Sequence, residues 1–179
     1  MNTVASSTPL PDSLFLVPAP EGEETLDFDA SPSVLLTFVA NKFTRKSSAA
    51  YDAKYGIGAM DWRMLVMLTR APGCSAAQAS VTIGIDKAAV SRSLQRLEAS
   101  GHAQATERER DPRRKAWRLT DAGRALHGRI LEDALAAQSA LLQGLSEDEV
   151  RALAGILRRL NANLEADWAG GADPETSAP

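Results

Sequence analysis

The segment from Ser75 to Gly123, SAAQASVTIGIDKAAVSRSLQRLEASGHAQATERERDPRRKAWRLTDAG, constrains the fold more than any other part of the chain. Ser75 and Gln78 have the spacing of a capping box, in which two side chains satisfy orphan N–H groups of a first helical turn. A short helix therefore opens there, and Gly84 breaks it. Asp86 caps a second helix, which ends at Gly101, a residue type that accepts the left-handed backbone of a helix stop. Val90, Leu94 and Leu97 recur at helical spacing and form its inward stripe. Lys87, Ser91, Arg92, Gln95 and Arg96 occupy the rest of the cylinder. Two short strands are expected next, near 102–107 and 115–120, with Trp117 and Leu119 alternating onto one face. Between them ERERDPRRK reads as a turn-bearing basic loop, with Asp111-Pro112 favouring the turn.

Helix, turn, helix, then strand, loop, strand is the order of a winged helix-turn-helix. It places a rod for the DNA major groove beside a charged finger. The fold class expected is mainly α with a small β-wing, the winged helix-turn-helix being joined to an all-helical dimerisation region. A partner of double-stranded DNA follows.

The net charge of −3 conflicts with that expectation only until it is located. Residues 1–32 hold six acids and no base, and residues 161–179 hold four acids and no base. All 20 Lys and Arg thus lie in 33–160 against 13 acids, a local net of +7. Phosphate binding follows local charge, so the pI of about 5.4 misleads.

The flanks are read more coarsely. Residues 1–32 are rich in Pro, Ser and Glu and are expected to form an irregular acidic extension. Its apolar patch LFLV, 14–17, either docks on a partner subunit or stays loose. Ser31 or Ser33 caps a first helix with Pro32 in its first turn, and Leu35, Phe38, Val39 and Phe43 carry the period to about Tyr51. Gly56 and Gly58 interrupt the chain, and Asp61–Leu68 forms a nearly all-apolar helix that should be buried on most sides. Pro72-Gly73 ends it. After the wing, Thr120 or Asp121 starts a fifth helix running to about Leu142, with Leu126, Ile130, Leu131 and Leu135 apolar. Gly144 breaks that helix. Ser146 and Glu149 form a second capping box for a last helix, striped by Val150, Leu153, Ile156, Leu157, Leu160 and Leu164. Residues 165–179 are expected to be a disordered tail. No run approaches the roughly 20 apolar residues of a membrane span, and MNTVASSTPLPD lacks the features of a secretory signal. One cysteine, Cys74, excludes an internal disulfide and gives no metal-site spacing. The expectation is a cytoplasmic protein.

The pieces DWRMLVML, PGCSAAQAS, DKAAVSRSLQRLEASG, DPRR, RLTDAGRALH and LSEDEVRAL, in this order and spacing, resemble the MarR family of bacterial transcription regulators. The resemblance covers about residues 33–164. It implies a winged-helix lobe at about 59–121, dimerisation helices at 33–55 and 122–164, and a homodimer on a pseudo-palindromic operator with half-sites about one turn apart.

A helix lying in the groove needs small residues at base edges and cations at phosphates. Ala88, Ala89 and Ser91 are small. Lys87, Arg92 and Arg96 can reach the backbone, and Arg92 has guanine as a second option. Ser75 and Gln78, at the start of the preceding helix, complete this part of the expected DNA-binding set. Arg110, Arg113, Arg114 and Lys115 suit a wing tip entering the minor groove. The family's Asp-x-Arg pattern implies that Asp111 orients Arg113.

Many family members release DNA on binding a small aromatic or phenolic molecule, often a carboxylate, and the resemblance implies the same here. By position the wall for it is Phe38, Lys42, Arg45, Trp62, Arg63 and Met64. The alternative for each is core packing or plain solvation. The expected function is therefore a repressor released by an aromatic effector, an aromatic carboxylate or its thioester included. Two alternatives stand beside it: a winged-helix DNA-binding protein without a ligand, and a cysteine-based oxidant sensor through Cys74. His102 departs from the family's apolar residue at that place and reads as a packing residue or a pH-sensitive hinge. His127 has no partner at metal spacing. Nothing in the chain has the pattern of a phosphate loop or nucleophile elbow, so an enzyme is not expected, nor any cofactor.

Overall fold

The computed structural model describes residues 9–108 and 111–170. The chain divides into two compact units, residues 1–134 and 135–179.

The first unit begins with an unexpected ordered element. The extension expected to be irregular forms a 3-10 turn at Asp12–Leu14 and an antiparallel hairpin, β1 (Leu16–Pro18) with β2 (Glu24–Leu26). Its turn closes through Ala19 N–H to Glu23 O and Gly22 N–H to Ala19 O. Gly22 takes the positive φ that this reversal needs. The LFLV patch is divided, Leu14 ending the 3-10 turn and Leu16 and Val17 entering strand β1.

Helix α1 spans Pro32–Tyr55, one turn longer than its apolar period implies. Ser31 holds the N-cap position and Pro32 the first turn, but the Ser31 hydroxyl meets Ser33 Oγ rather than a backbone N–H. Gly56 closes the helix in the left-handed conformation. Helix α2 (Ala59–Arg70) buries Asp61, Met64, Leu65 and Leu68, the i, i+3, i+4, i+7 face of the cylinder. Helix α3 (Ala76–Ile83) carries the full capping box of Ser75 and Gln78, and Gly84 ends it. Helix α4 (Lys87–Ala99) is capped by Asp86, whose carboxylate accepts from Ala89 N–H at 3.0 Å. Val90, Leu94 and Leu97 are buried completely, as their spacing requires.

Strand β3 (Ala103–Arg108) pairs antiparallel with β4 (Asp111–Leu119), in the register Ala105↔Trp117 and Ala103↔Leu119. The second strand starts four residues earlier than expected. Asp111, Arg113, Arg114 and Lys115 therefore belong to a paired strand rather than a loop, because the ladder continues as far as Arg108↔Asp111. A third segment joins this sheet: Trp117 N–H donates to Cys74 O at 3.0 Å, and Gly73 N–H donates to Trp117 O at 2.7 Å.

Helix α5 (Asp121–Leu141) is capped by Thr120, whose hydroxyl accepts from Gly123 N–H. Leu126 and Ile130 seal the core from this side. That core gathers Tyr51, Ile57, Met64, Leu65, Leu68, Val90, Leu94, Leu97, Trp117, Leu119, Leu126 and Ile130. Each fully buried Leu, Ile or Met contributes about 1.5–3 kcal/mol relative to exposure.

The second unit holds the end of α5 and helix α6 (Glu147–Gly170). The Ser146–Glu149 capping box forms, with Ser146 N–H donating to Glu149 Oε2 at 2.7 Å. These bonds to the ionised carboxylate hold the Glu149 pKa below its ordinary value. The predicted stripe of α6 is not covered: Ile156 is 51% and Leu164 66% exposed. On α1, Leu35, Leu36 and Val39 are also exposed.

Candidate nucleic-acid interface

The start of α3, the outward face of α4 and strand β4 enclose a cleft of about 330 Å³. It is lined by Ser75, Ala76, Ala77, Lys87, Ser91, Gln95, Lys115 and Trp117. Four of the residues singled out from sequence thus converge, Ser75, Lys87, Ser91 and Lys115. Ala76, Ala77, Gln95 and Trp117 are additions to the expected contact set, although Gln95 was already placed on the outward cylinder of this helix. The signal for the other three was present only as small residues beside a cap and as an aromatic on the wing. Trp117 is itself buried, and the Lys115 ammonium lies 5.7 Å from its ring centroid.

Around the cleft, Lys87, Ala88 and Arg92 are exposed and Ala89 and Ser91 half-buried. The first turns of α4 therefore show small side chains flanked by cations. The cap at Asp86 makes this possible, since it satisfies the first-turn donors without bulk.

Two expected contacts already have local partners. Gln78 Oε1 accepts from Ser75 N–H at 2.9 Å and from Ser75 Oγ at 3.1 Å, so the cap engages both side chains. Arg96 is more strongly diverted. Its Nη2 donates to Asp61 Oδ1 at 2.6 Å and its Nε to Asp61 Oδ2 at 3.3 Å. The reason is Asp61, a carboxylate only 6% exposed in an apolar helix. A charge buried there requires a partner and hydrogen bonds. Ser93, wholly buried on α4, supplies another bond at 2.5 Å. Sequence reasoning missed Asp61 and Ser93. The available signal was a lone acid within the run DWRMLVML.

The wing cations divide. Lys115 is exposed at the cleft. Arg113 and Arg114 are placed on β4 by their backbone, while Arg110 and the expected Asp111–Arg113 bond lie outside the described residues.

The wing is fixed to α5 by a close backbone approach. A Cβ on Gly123 would fall 1.9 Å from His102 O, so only glycine fits. Thr120 N–H donates to that same carbonyl at 3.1 Å, and Thr120 Oγ1 to Gly101 O at 2.7 Å. His102 is half-buried, with Nδ1 2.8 Å from Ser100 Oγ. It is a packing residue of this junction.

Of the expected effector wall, Met64 is not at the surface. Met64 is completely buried and belongs to the core, because it shares the inward face of α2 with Leu65 and Leu68. Trp62 stacks on His127, with centroids 5.2 Å apart and planes at 26°. Burial against it pushes the His127 pKa down. Arg63 donates to Thr44 Oγ1 at 2.9 Å, and Phe38 meets Phe28 edge-on at 5.2 Å. Lys42 and Arg45 are exposed on α1. Cys74 is 7% exposed.

This arrangement matches known proteins. The family model described as MarR family matches residues 55–115. The crystal structure of a MarR/EmrR family transcriptional regulator from Acinetobacter sp. ADP1 is 32% identical, covering 79% of this chain and 99% of that one, at a TM-score of 0.73. The chain belongs to the MarR family. As such it is a transcriptional regulator with the winged helix-turn-helix of MarR proteins. Two further MarR-type folds are more distant, each 22% identical. BpsR of Bordetella bronchiseptica, whose DNA binding is regulated by 6-hydroxynicotinic acid, covers 76% of this chain and 97% of its own at a TM-score of 0.68. A mutant MarR from E. coli, complexed with operator DNA, covers 72% and 91% at a TM-score of 0.64. Among the described residues, no helix is long and apolar enough to cross a membrane, and no group of His, Cys, Asp or Glu could hold a metal ion.

Proposed function

We propose that this MarR-family regulator is a homodimeric repressor. Its α3–α4–β4 cleft straddles each half-site of a pseudo-palindromic operator. The observation that carries the reading is the convergence of Ser75, Lys87, Ser91 and Lys115 on one cleft, in a region that is net positive. In this reading Ala88, Ala89 and Ser91 approach base edges. Lys87, Arg92 and the wing residues Arg110, Arg113, Arg114 and Lys115 meet phosphates or the minor groove. Gln78 and Arg96 belong to the same DNA-contacting set, beside the cap and the Asp61 tether. Residues 59–121 form the reading lobe, and 33–55 with 122–164 the dimerisation helices. The exposed leucines of α1 and α6 support a second copy, because stripes of this size on a soluble chain mark an interface. The E. coli MarR–operator complex supports the same mode of DNA binding.

We further propose release by a small aromatic effector, supported by the regulation of BpsR DNA binding by 6-hydroxynicotinic acid. Phe38, Lys42, Arg45, Trp62 and Arg63 remain the residues for it. Met64 takes no part in it, since it has no exposed surface. Burial of Cys74 disfavours the oxidant-sensing alternative, because reactive thiols occupy accessible, electropositive sites. A panel of aromatic acids and thioesters should raise the melting temperature by mass action if the effector reading holds. A flat response across the panel favours a regulator without a small-molecule ligand. For DNA, Arg113→Ala should weaken operator binding and lower the log–log salt slope by about one unit, the value for one lost phosphate contact. Unchanged affinity and slope would remove the wing from the reading. Changing Ser91 should alter sequence preference more than slope.

A further inference from the structure

A second cavity, of about 500 Å³, opens on the other side of the wing junction. It lies between the end of α2, the end of β4 and the first turn of α5, all within the first unit. Leu68 and Leu119, both nearly fully buried, and Pro72 give it an apolar floor. Its volume falls within the range of small-molecule sites.

Its rim holds two guanidinium groups in different electrostatic states. Arg124 is engaged: Nη1 donates to Leu119 O at 2.9 Å and Nη2 pairs with Asp121. Arg118 has no ion pair among the described residues, and its guanidinium rests over Gly73. A Cβ at residue 73 would approach Arg118 Nη2 to 3.2 Å, so the glycine leaves room for that head group at the cavity mouth. The rim thus presents one uncompensated cation beside a neutralised pair. With Asp121 neutralised by Arg124, the rim carries one net positive charge, which a single carboxylate balances and a dianion exceeds.

We propose that this cavity binds a small amphiphilic monocarboxylate, its apolar body on Leu68, Pro72 and Leu119 and its carboxylate on Arg118. A planar guanidinium suits a carboxylate because it can donate two parallel hydrogen bonds. The single net positive charge of the rim disfavours phosphate and other dianions, whose second charge finds no partner there. The site is separate from the α1–α2 wall considered above, and it bridges the wing to α5.

The test is calorimetric titration of the full chain with 4-phenylbutyrate, with 4-phenylbutanol as the neutral isostere and inorganic phosphate as the dianion. Saturable binding of the carboxylate, about tenfold or more tighter than the alcohol, is expected. Arg118→Ala should lower the affinity about tenfold or more while retaining operator binding. Thr69→Trp, from an exposed position at the opposite wall, should fill the cavity and abolish binding. Amide shifts on titration should cluster at residues 68–73 and 118–124. Phosphate binding as tight as the carboxylate would overturn the proposal. So would affinity unchanged in Arg118→Ala, or shifts confined to the α1–α2 wall. Loss of operator affinity in Arg118→Ala, with carboxylate binding intact, would reassign this arginine to the DNA backbone and equally overturn it.

Discussion

Replacing Asp61 by alanine tests whether helix α4 is held by a buried carboxylate. In the native protein Asp61 accepts from Ser93 Oγ and from two nitrogens of Arg96. The substitution leaves the Ser93 hydroxyl, with no exposed surface, lacking its acceptor. A stranded buried hydroxyl costs about 1–3 kcal/mol. The Arg96 side chain is 56% exposed, so water compensates it and its lost ion pair adds no more than about 1 kcal/mol. The expected loss is about 1–4 kcal/mol in all, most of it from the serine. Ser93→Ala alone should cost about 1–2 kcal/mol, since Asp61 keeps Arg96. The double variant should then be more stable than the sum of the two by about 1–2 kcal/mol, because no hydroxyl is left stranded. Chemical denaturation of the four proteins at one fixed concentration measures this directly. Additivity within about 0.5 kcal/mol would refute the argument, as it would mean that the serine and aspartate do not depend on one another. Arg96→Ala completes the set. A changed salt slope of operator binding would give Arg96 a phosphate contact in addition to its tether.

Four further substitutions probe other joints. Gly123→Ala should destabilise by about 3 kcal/mol or more, since its Cβ would overlap the His102 carbonyl and backbone would have to move. Gly128→Ala, with nothing within 4 Å, should instead stabilise by about 0.5–1 kcal/mol, and thermal melts of the two should shift in opposite directions. His127→Phe addresses pH. Burial lowers the folded-state pKa of His127 below the ordinary 6.5, so the unfolded chain binds the proton more readily. Stability should then be full above about pH 6.5 and fall as the pH drops through the window beneath it. Melting temperatures between pH 7 and 5 should fall less steeply in the variant, and an equal slope would dismiss the histidine. Asp86→Ala removes the α4 cap and should cost about 1 kcal/mol by denaturation.

The elements most legible in the sequence were those written by local chemistry. Capping at Ser75, Asp86 and Ser146 depends on residues three apart, and each forms as read. The inward stripe of α4 followed from period alone. Less legible was anything set by a partner distant in sequence. The start of β4 was placed late because Asp111-Pro112 resembles a turn locally, whereas the ladder with β3 decides. The extension hid its hairpin because the pairing of Leu16 with Leu26 leaves no alternating pattern in three-residue strands. Met64 was assigned to a wall because its neighbours Trp62 and Arg63 flank the buried face, and one helical step separates wall from core. Arg96 looked like a phosphate ligand since its acid lies 35 residues away.

The two backbone bonds between Trp117 and the Gly73–Cys74 segment have a mechanical consequence. They weld strand β4 to the entry of α3, so the charged finger and the helix-turn-helix turn as one lever. A molecule that tilted the wing alone would have to break this weld. Rotation of the lever is then absorbed outside it, and on the N-terminal side the chain offers the Gly56-Ile57-Gly58 link, where α1 stops in left-handed backbone and α2 begins three residues later. Stiffening that link by Gly58→Ala, at a φ of −87° that alanine adopts without strain, would in the proposed dimer act on the spacing between the two reading lobes without touching a residue proposed to meet DNA.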